Sequence, residues 1–313
     1  MTESSTTIDG VLLRRARRDD APTLHAIAAR TWDGRDYLPA VIEPWLDETT
    51  GEFIVAEIDG TVVGAIKVSR LGTSQWWLEA CRVDPSARGL GLGAALTRYG
   101  VARGCELQAA EGGFGAMGAL VDEGNVPSLR ILTAAGFEER VRFTRCVAAC
   151  EPGDGASEFR RLDSADATLA IDVVHRSDLV AVAAGARDHR PVGVVLDDPQ
   201  LLALAESGQL YGWSASGGDP SRLDGLVALG DSIVVGDGSR QLAVSYLDAP
   251  GAVTPMAAAV RSLGASLGAD TVEHQLQASP ERVGSMLRAR WRRPAGLNLS
   301  VLFTRGVGDG QLA

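Results

Sequence analysis

The stretch Arg82-Val83-Asp84-Pro85-Ser86-Ala87-Arg88-Gly89-Leu90-Gly91-Leu92-Gly93-Ala94-Ala95-Leu96 decides how this chain is read. Glycines at 89, 91 and 93 permit tight turning and let the backbone approach a ligand closely. Leu92, Ala95, Leu96, Tyr99 and Ala102 then recur at helical spacing, so the glycines open a helix. The free N–H groups and positive dipole end of a helix start favour an anion. Successive amides of such a loop can form a nest for a pyrophosphate, with the Arg88 charge at its edge.

A P-loop is excluded, because no Gly-Lys-Ser/Thr follows. Gly89-x-Gly91-x-x-Ala94 formally satisfies a dinucleotide fingerprint, but it lies mid-domain after an antiparallel hairpin rather than in a first parallel βαβ unit. The glycines alone also fit a structural turn.

Working outward, residues 11–17 read as a strand, and Asp20 as the cap of a helix through Leu24, Ile27 and Ala28. The loop Trp32-Asp33-Gly34-Arg35-Asp36-Tyr37 leads to a second helix through Val41, Ile42 and Leu46. Asp59-Gly60 between two β-rich runs, Phe53–Ile58 and Thr61–Ser69, is a hairpin signal. Gln75–Val83 is a further strand. Beyond the loop come a strand near Ala116–Val121, a helix after Asn125 that ends at Gly136-Phe137, and a strand from Arg140 to Ala148. Glu151-Pro152-Gly153-Asp154-Gly155 reads as a linker.

The second half repeats part of this order. Gln241–Leu247, a helix through Met256, Val260 and Leu263, Thr271–Leu276, a helix from Ser279-Pro280, and Leu297–Thr304 follow in turn. A diverged tandem duplication accounts for this, although any α+β domain can share so short an order. The expected fold is α+β, with domains at 1–150 and 156–313, each a mixed, mostly antiparallel sheet flanked by helices.

The stretch around the loop resembles the acyl-CoA-binding motif of the GNAT acetyltransferase superfamily, R/Q-x-x-G-x-G/A, met by Arg88, Gly91 and Gly93. The preceding hairpin, Val83-Asp84-Pro85, Asn125 and Gly136-Phe137 accompany it at family-like spacing, and the resemblance covers residues 11–148. Asp36-Tyr37-Leu38-Pro39 and the run from Trp76 to Pro85 are similar to a subgroup that includes histidine N-acetyltransferases. Tandem members of the superfamily include mycothiol synthases, whose second half is the active one. Here Ala249-Pro250-Gly251-Ala252 has neither the arginine nor the glycine spacing, so the second half is read as a degenerate GNAT-like domain.

The resemblance implies direct acetyl transfer from acetyl-CoA to a primary amine of a small molecule or amino acid. It implies cofactor contacts from Arg82 and Val83, from Arg88, Gly89, Leu90, Gly91, Leu92, Gly93 and Ala94, and from Asn125 with Ser128 behind it. Asn125 also reads as a helix N-cap. Glu79, nine residues before Arg88, is the candidate general base. Period-2 counting sets it on a face with Trp77, Cys81 and Val83, an apolar setting that raises a carboxyl pKa. It also reads as a salt-bridge partner of Arg82. Asp33 and Asp36 are candidates for an ammonium, Arg35 for a carboxylate, Tyr37 for a further acceptor contact, and Trp76 and Trp77 for the wall of the acceptor cleft. Asp33-Gly34 also reads as a turn, and Trp77 as core. Many members place a Tyr general acid where this chain has Leu132. That departure keeps open a non-catalytic acyl-CoA-binding regulatory module.

Composition bounds the rest. The chain has 313 residues, 45% hydrophobic, and a formal charge of −10, which argues against phosphate-backbone binding to nucleic acid. Its one lysine is Lys67. The polar start shows no secretory signal and no apolar run is long enough to span a bilayer, so a soluble cytoplasmic protein, monomer or homodimer, is expected. Cys81, Cys105, Cys146 and Cys150 form no metal-binding spacing, and no metal is expected.

Overall fold

The computed structural model describes residues 5–8, 10–31, 36–71, 75–110, 115–179, 181–187, 190–215, 222–235, 237–294 and 299–307. It forms two compact units, Met1–Glu139 with Phe303–Ala313, and Arg140–Leu302.

The first unit runs β1 (Ser5–Ile8), β2 (Val11–Arg15), α1 (Ala21–Ala29), α2 (Leu38–Asp47), β3 (Glu52–Ile58), β4 (Thr61–Leu71), β5 (Gln75–Val83), α3 (Leu92–Ala110), β6 (Gly115–Asp122) and α4 (Val126–Ala134). Strands β1 to β5 pair antiparallel in chain order, and β6 joins β5 in parallel. The β3–β4 turn carries positive φ at Asp59 (49°) and Gly60 (76°), as the Asp-Gly signal requires. Helices α1 and α2 cover one face, burying Leu24, Ile27, Val41, Ile42 and Trp45 against Phe53, Val55, Ala65 and Ala80. Helix α3 covers the other. A Cβ on its Gly100 would stand 2.9 Å from Leu78 Cδ1, so a glycine lets this helix lie close on the sheet. Asp20 precedes α1, but its carboxylate makes no cap. It takes Arg14 Nη1 and Nη2 at 2.8 and 2.9 Å and the Arg17 N–H at 2.7 Å.

After β7 (Glu138–Ala149) the second unit continues with β8 (Phe159–Arg161), α5 (Ala167–His175), β9 (Val182–Arg187), β10 (Arg190–Val195), α6 (Asp198–Glu206), β11 (Leu210–Trp213), β12 (Gly225–Val234), β13 (Arg240–Asp248), α7 (Val253–Ser266), β14 (Thr271–Gln277) and α8 (Pro280–Arg288), before β15 (Ser300–Val307). Strands β8, β11, β12 and β13 pair antiparallel, β14 joins β13 in parallel, and β7 joins β14 antiparallel. The parallel pair linked by one helix thus occurs in both units, β5-α3-β6 and β13-α7-β14. The α+β fold of mixed, mostly antiparallel sheets flanked by helices is the one expected.

Phe143–Ala149 of β7 pair with Gln277–Thr271 of β14, which assigns β7 to the second unit's sheet. The chain from Phe303 on belongs to the first unit. A hydrophobic pattern read along the chain carries no sign of such an exchange, because either sheet accepts a half-buried strand. Among the described residues, no helix is long and apolar enough to cross a membrane, and no group of His, Cys, Asp or Glu is placed to hold a metal.

Candidate active site

The site begins where β5 and β6 part. Their registered pairs run from Gln75↔Ala116 to Trp77↔Gly118, and among the described residues none follows toward Val83. Here β5 also bulges: its pairing with β4 shifts register between Lys67↔Glu79 and Ala65↔Arg82, and Ala80 takes φ 54°. The β6-facing edge of β5 from Glu79 to Val83 is therefore an open strand edge, able to pair with an extended amide-containing chain.

The glycine loop follows this edge. Burial disfavours the charged form of Asp84, but Ser86 N and Oγ donate to Oδ1 at 2.9 and 2.7 Å and, with the charges of Arg30 and Arg88, hold its carboxyl below the usual range. That turn delivers Arg88 to Gly91, all exposed, to the start of α3. Gly89 and Gly91 have φ of 84° and 73°, and nothing lies within 4 Å of where a Cβ would stand on either. These positions need glycine for conformation, and open space lies where the ligand cradle is expected. The first N–H groups of α3 at Leu92, Gly93 and Ala94 have no intrahelical acceptor. Gly93 sits against α4, where a Cβ would meet Ile131 Cδ1 at 3.2 Å. At the start of α4, Asn125 Oδ1 accepts the Ser128 N–H at 3.3 Å, which is the N-cap role.

On the α1/α2 face of the sheet lies a buried polar group. Glu79, 8% exposed, accepts Ser69 Oγ–H at 2.6 Å through Oε1. Its cross-strand partner is Lys67, whose side chain is 0% exposed and whose Nζ lies 2.6 Å from Glu48 Oε2 and 5.8 Å from the Trp45 ring. Burial lowers the Lys67 pKa, while the carboxylates of Glu48 and Glu79 oppose that shift. Beside them Arg82 donates Nε and Nη2 to Asp36 at 2.7 and 2.9 Å, and its guanidinium lies 5.5 Å over the Tyr37 ring.

The bulge corrects the period-2 reading. Past Ala80 the alternation slips by one, so Arg82, not Cys81, shares the face of Glu79, whose neighbours there include the polar Lys67 and Ser69. Cys81 points under α3, with Sγ 3.9 Å from the Gly93 carbonyl, and burial pushes its thiol pKa up. Asp36, read as a candidate for an ammonium, has Arg82 on both of its carboxylate oxygens. Tyr37 packs edge-on to Trp45. Trp77 is 2% exposed, and a Cβ on Gly118 would come within 2.5 Å of its ring, so it is a core side chain. Asp33 and Arg35 lie outside the described residues. Leu132 is buried at 5%. Sequence reasoning missed Lys67, Ser69 and Glu48; a lone lysine inside an apolar strand was the available signal.

The second unit shows the same architecture with the opening closed. Asp248, 1% exposed, ends β13 as Asp84 follows β5. Ser279 caps α8 as Asn125 caps α4, and three residues on stands Arg282 in place of Ser128. Arg282 Nη2 donates to the Leu247 carbonyl at 3.2 Å and to Asp248 Oδ1 at 2.6 Å, while Ser177 Oγ donates to Asp248 Oδ2.

Comparison with known proteins agrees with this architecture. The model of the Acetyltransferase (GNAT) family matches residues 18–137. A mycothiol acetyltransferase of Sanguibacter keddieii is 36% identical over 168 residues, 47% of this chain and 49% of that one. A histidine N-acetyltransferase of Xenopus tropicalis is 35% identical over 75 residues, 24% of this chain and 23% of that one. The matched stretches thus span no more than about half the length of these relatives. Among solved structures, a GCN5-related N-acetyltransferase from Sphaerobacter thermophilus superposes with TM-score 0.60 at 14% identity, covering 98% of both chains. A tandem GNAT protein from the clavulanic acid biosynthesis pathway superposes with TM-score 0.53 at 14% identity, covering 96% of this chain and 100% of that one. At such identities the likeness speaks for the fold.

Proposed function

Because residues 18–137 belong to the Acetyltransferase (GNAT) family, we propose that this chain is an N-acetyltransferase that moves an acetyl group from acetyl-CoA directly to a primary amine, with Glu79 as general base. The observation that carries the reading is the open β5 edge running straight into a glycine loop at a helix start. An amide-bearing arm fits the edge, and a pyrophosphate fits the loop. The cofactor would be held by the backbone of Arg82 and Val83, by Arg88 through Ala94, and by Asn125 with Ser128. Bound there, acetyl-CoA supplies the acetyl group as a thioester.

The chain's own groups do the rest. A backbone N–H on the unpaired edge of the bulged strand would polarise the thioester carbonyl, a donor aimed at a developing oxyanion being worth roughly 3–4 kcal/mol. Glu79, fixed by Ser69, accepts the proton that the ammonium must lose before it attacks. The names of the matched relatives, a mycothiol and a histidine acetyltransferase, support a small-molecule acceptor. Asp33 and Arg35, outside the described residues, are acceptor-binding candidates. We place the protein in the cytoplasm as a monomer or homodimer, with the catalytic GNAT domain at 1–150, completed by the chain from Phe303 on, and a degenerate one in the rest of 156–313.

Glu79→Gln tests this reading. The variant is expected to bind acetyl-CoA as the wild type does and to lose about 10²-fold or more in turnover over an amine panel, read by thiol release. Undiminished turnover removes Glu79 from the mechanism. Leu132, buried where a phenol would serve the leaving thiolate, favours a second reading, a non-catalytic acyl-CoA-binding module. Acetyl-CoA binding without transfer to any amine would support it.

A further inference from the structure

Two carboxylates share one ammonium on the α1/α2 face. Lys67 is the cross-strand partner of Glu79 at a register position that brings Cβ atoms to about 5 Å, and it is clamped from the other side by Glu48 at 2.6 Å. It has 0% side-chain exposure, so the interaction is little screened by solvent. A lone buried ammonium is costly, and nothing in the packing of β4 requires one; Phe53, its partner on β3, and Trp45 would accept a methionine there.

We propose that Lys67 is a positioning residue for Glu79: its charge keeps the carboxylate ionised and aimed alongside Ser69, and Glu48 sets how much of that charge Glu79 feels. This rests on the reading of Glu79 as general base. A base that must accept a proton near neutral pH has to be ionised beforehand, and burial alone would drive Glu79 the other way. Glu48 draws the ammonium from the opposite side, so the charge of Lys67 is divided between the two carboxylates. Among the described residues, the other charged and titratable groups on this face include Arg15, whose Nη2 donates to the Glu48 carbonyl at 2.6 Å, and the Arg82–Asp36 pair under Tyr37. Arg82 is matched by Asp36, and Lys67 is the cross-strand cation at the register position of Glu79.

The test is the titration of the Glu79 carboxyl carbon by NMR in the full chain, assigned by the resonance lost in Glu79→Gln. In Lys67→Met the midpoint is expected to rise by about one unit or more, the usual effect of losing an opposite charge at this range. In Glu48→Gln, a change at a partly exposed side chain that spares the core, the midpoint is expected to fall, because Lys67 then faces Glu79 alone. The acid limb of turnover should move with each midpoint. An unmoved midpoint in either folded variant overturns the proposal. If Lys67→Met does not fold, Glu48→Gln decides alone. If Glu79→Gln keeps full turnover while the midpoints move as stated, the base assignment fails and the Lys67–Glu79 coupling stands.

Discussion

Arg282 Nη2 donates to the main-chain carbonyl of Leu247 at 3.2 Å, the position that corresponds, counting from the strand-ending aspartate, to Val83 in the first unit. An arginine side chain thereby occupies the strand end that an acyl-CoA arm would need. Acetyl-CoA is expected to bind with a stoichiometry of one per chain by isothermal titration calorimetry. Two sites of similar affinity would contradict this account of the second unit.

Gly91 holds φ 73° with open space at its Cβ position. Gly91→Ala therefore meets no clash, only a left-handed backbone that costs a residue with a Cβ about 1–2 kcal/mol. The expected result is a small drop in Tm and roughly tenfold weaker acetyl-CoA binding as the loop relaxes out of its cradle. A dissociation constant equal to that of the wild type would show that the conformation of Gly91 does not shape the cradle.

His274 supplies a pH dependence for the second unit. Its Nδ1 lies 2.7 Å from the Val244 carbonyl, which can only accept, so Nδ1 carries a proton. Burial pushes its pKa down to about 4, against the opposing pull of that carbonyl. The folded pKa is depressed, so its contribution is complete above the unfolded value near 6.5 and is lost as pH falls toward 4. Between pH 7 and pH 4.5 the wild type should lose about 2–3 kcal/mol more than His274→Gln in urea denaturation. Parallel losses in the two proteins would refute a neutral buried His274.

Residues 1–150 alone should not make a stable domain. The first unit counts Phe303 onward among its own residues, and β15 is the neighbour of β6 in the sheet. Cutting at the linker leaves β6 with an unpaired edge. The truncated chain is expected to aggregate or to unfold without a cooperative transition. A soluble fragment with a sharp melting transition would show the missing strand to be dispensable.

How much of this the sequence discloses follows from the range of each interaction. The 88–94 loop, the Asp59-Gly60 hairpin and the repeated helix order are local, written in glycines and apolar spacing, and they were legible. The bulge at Ala80 was not, since alanine gives no sign of a positive φ, and one unseen residue reversed which side chains accompany Glu79. The bond from Ser69 and the charge of Lys67 depend on the β4–β5 register, and Asp36 on a guanidinium 46 residues away. Strand exchange between the units depends on pairing over still longer separations, where any half-buried strand reads alike.

The sealed position of Lys67 has one more consequence. A protein that handles an activated acetyl group beside amines is exposed to acetylating itself, and ε-amines are the usual casualties. This chain has one ε-amine in 313 residues, and it is folded out of reach with 0% of its side chain exposed and a carboxylate against it. Its surface cations are arginines, whose guanidinium groups do not lose a proton to become nucleophiles. The outer face of the folded protein therefore presents no lysine for the proposed donor to modify.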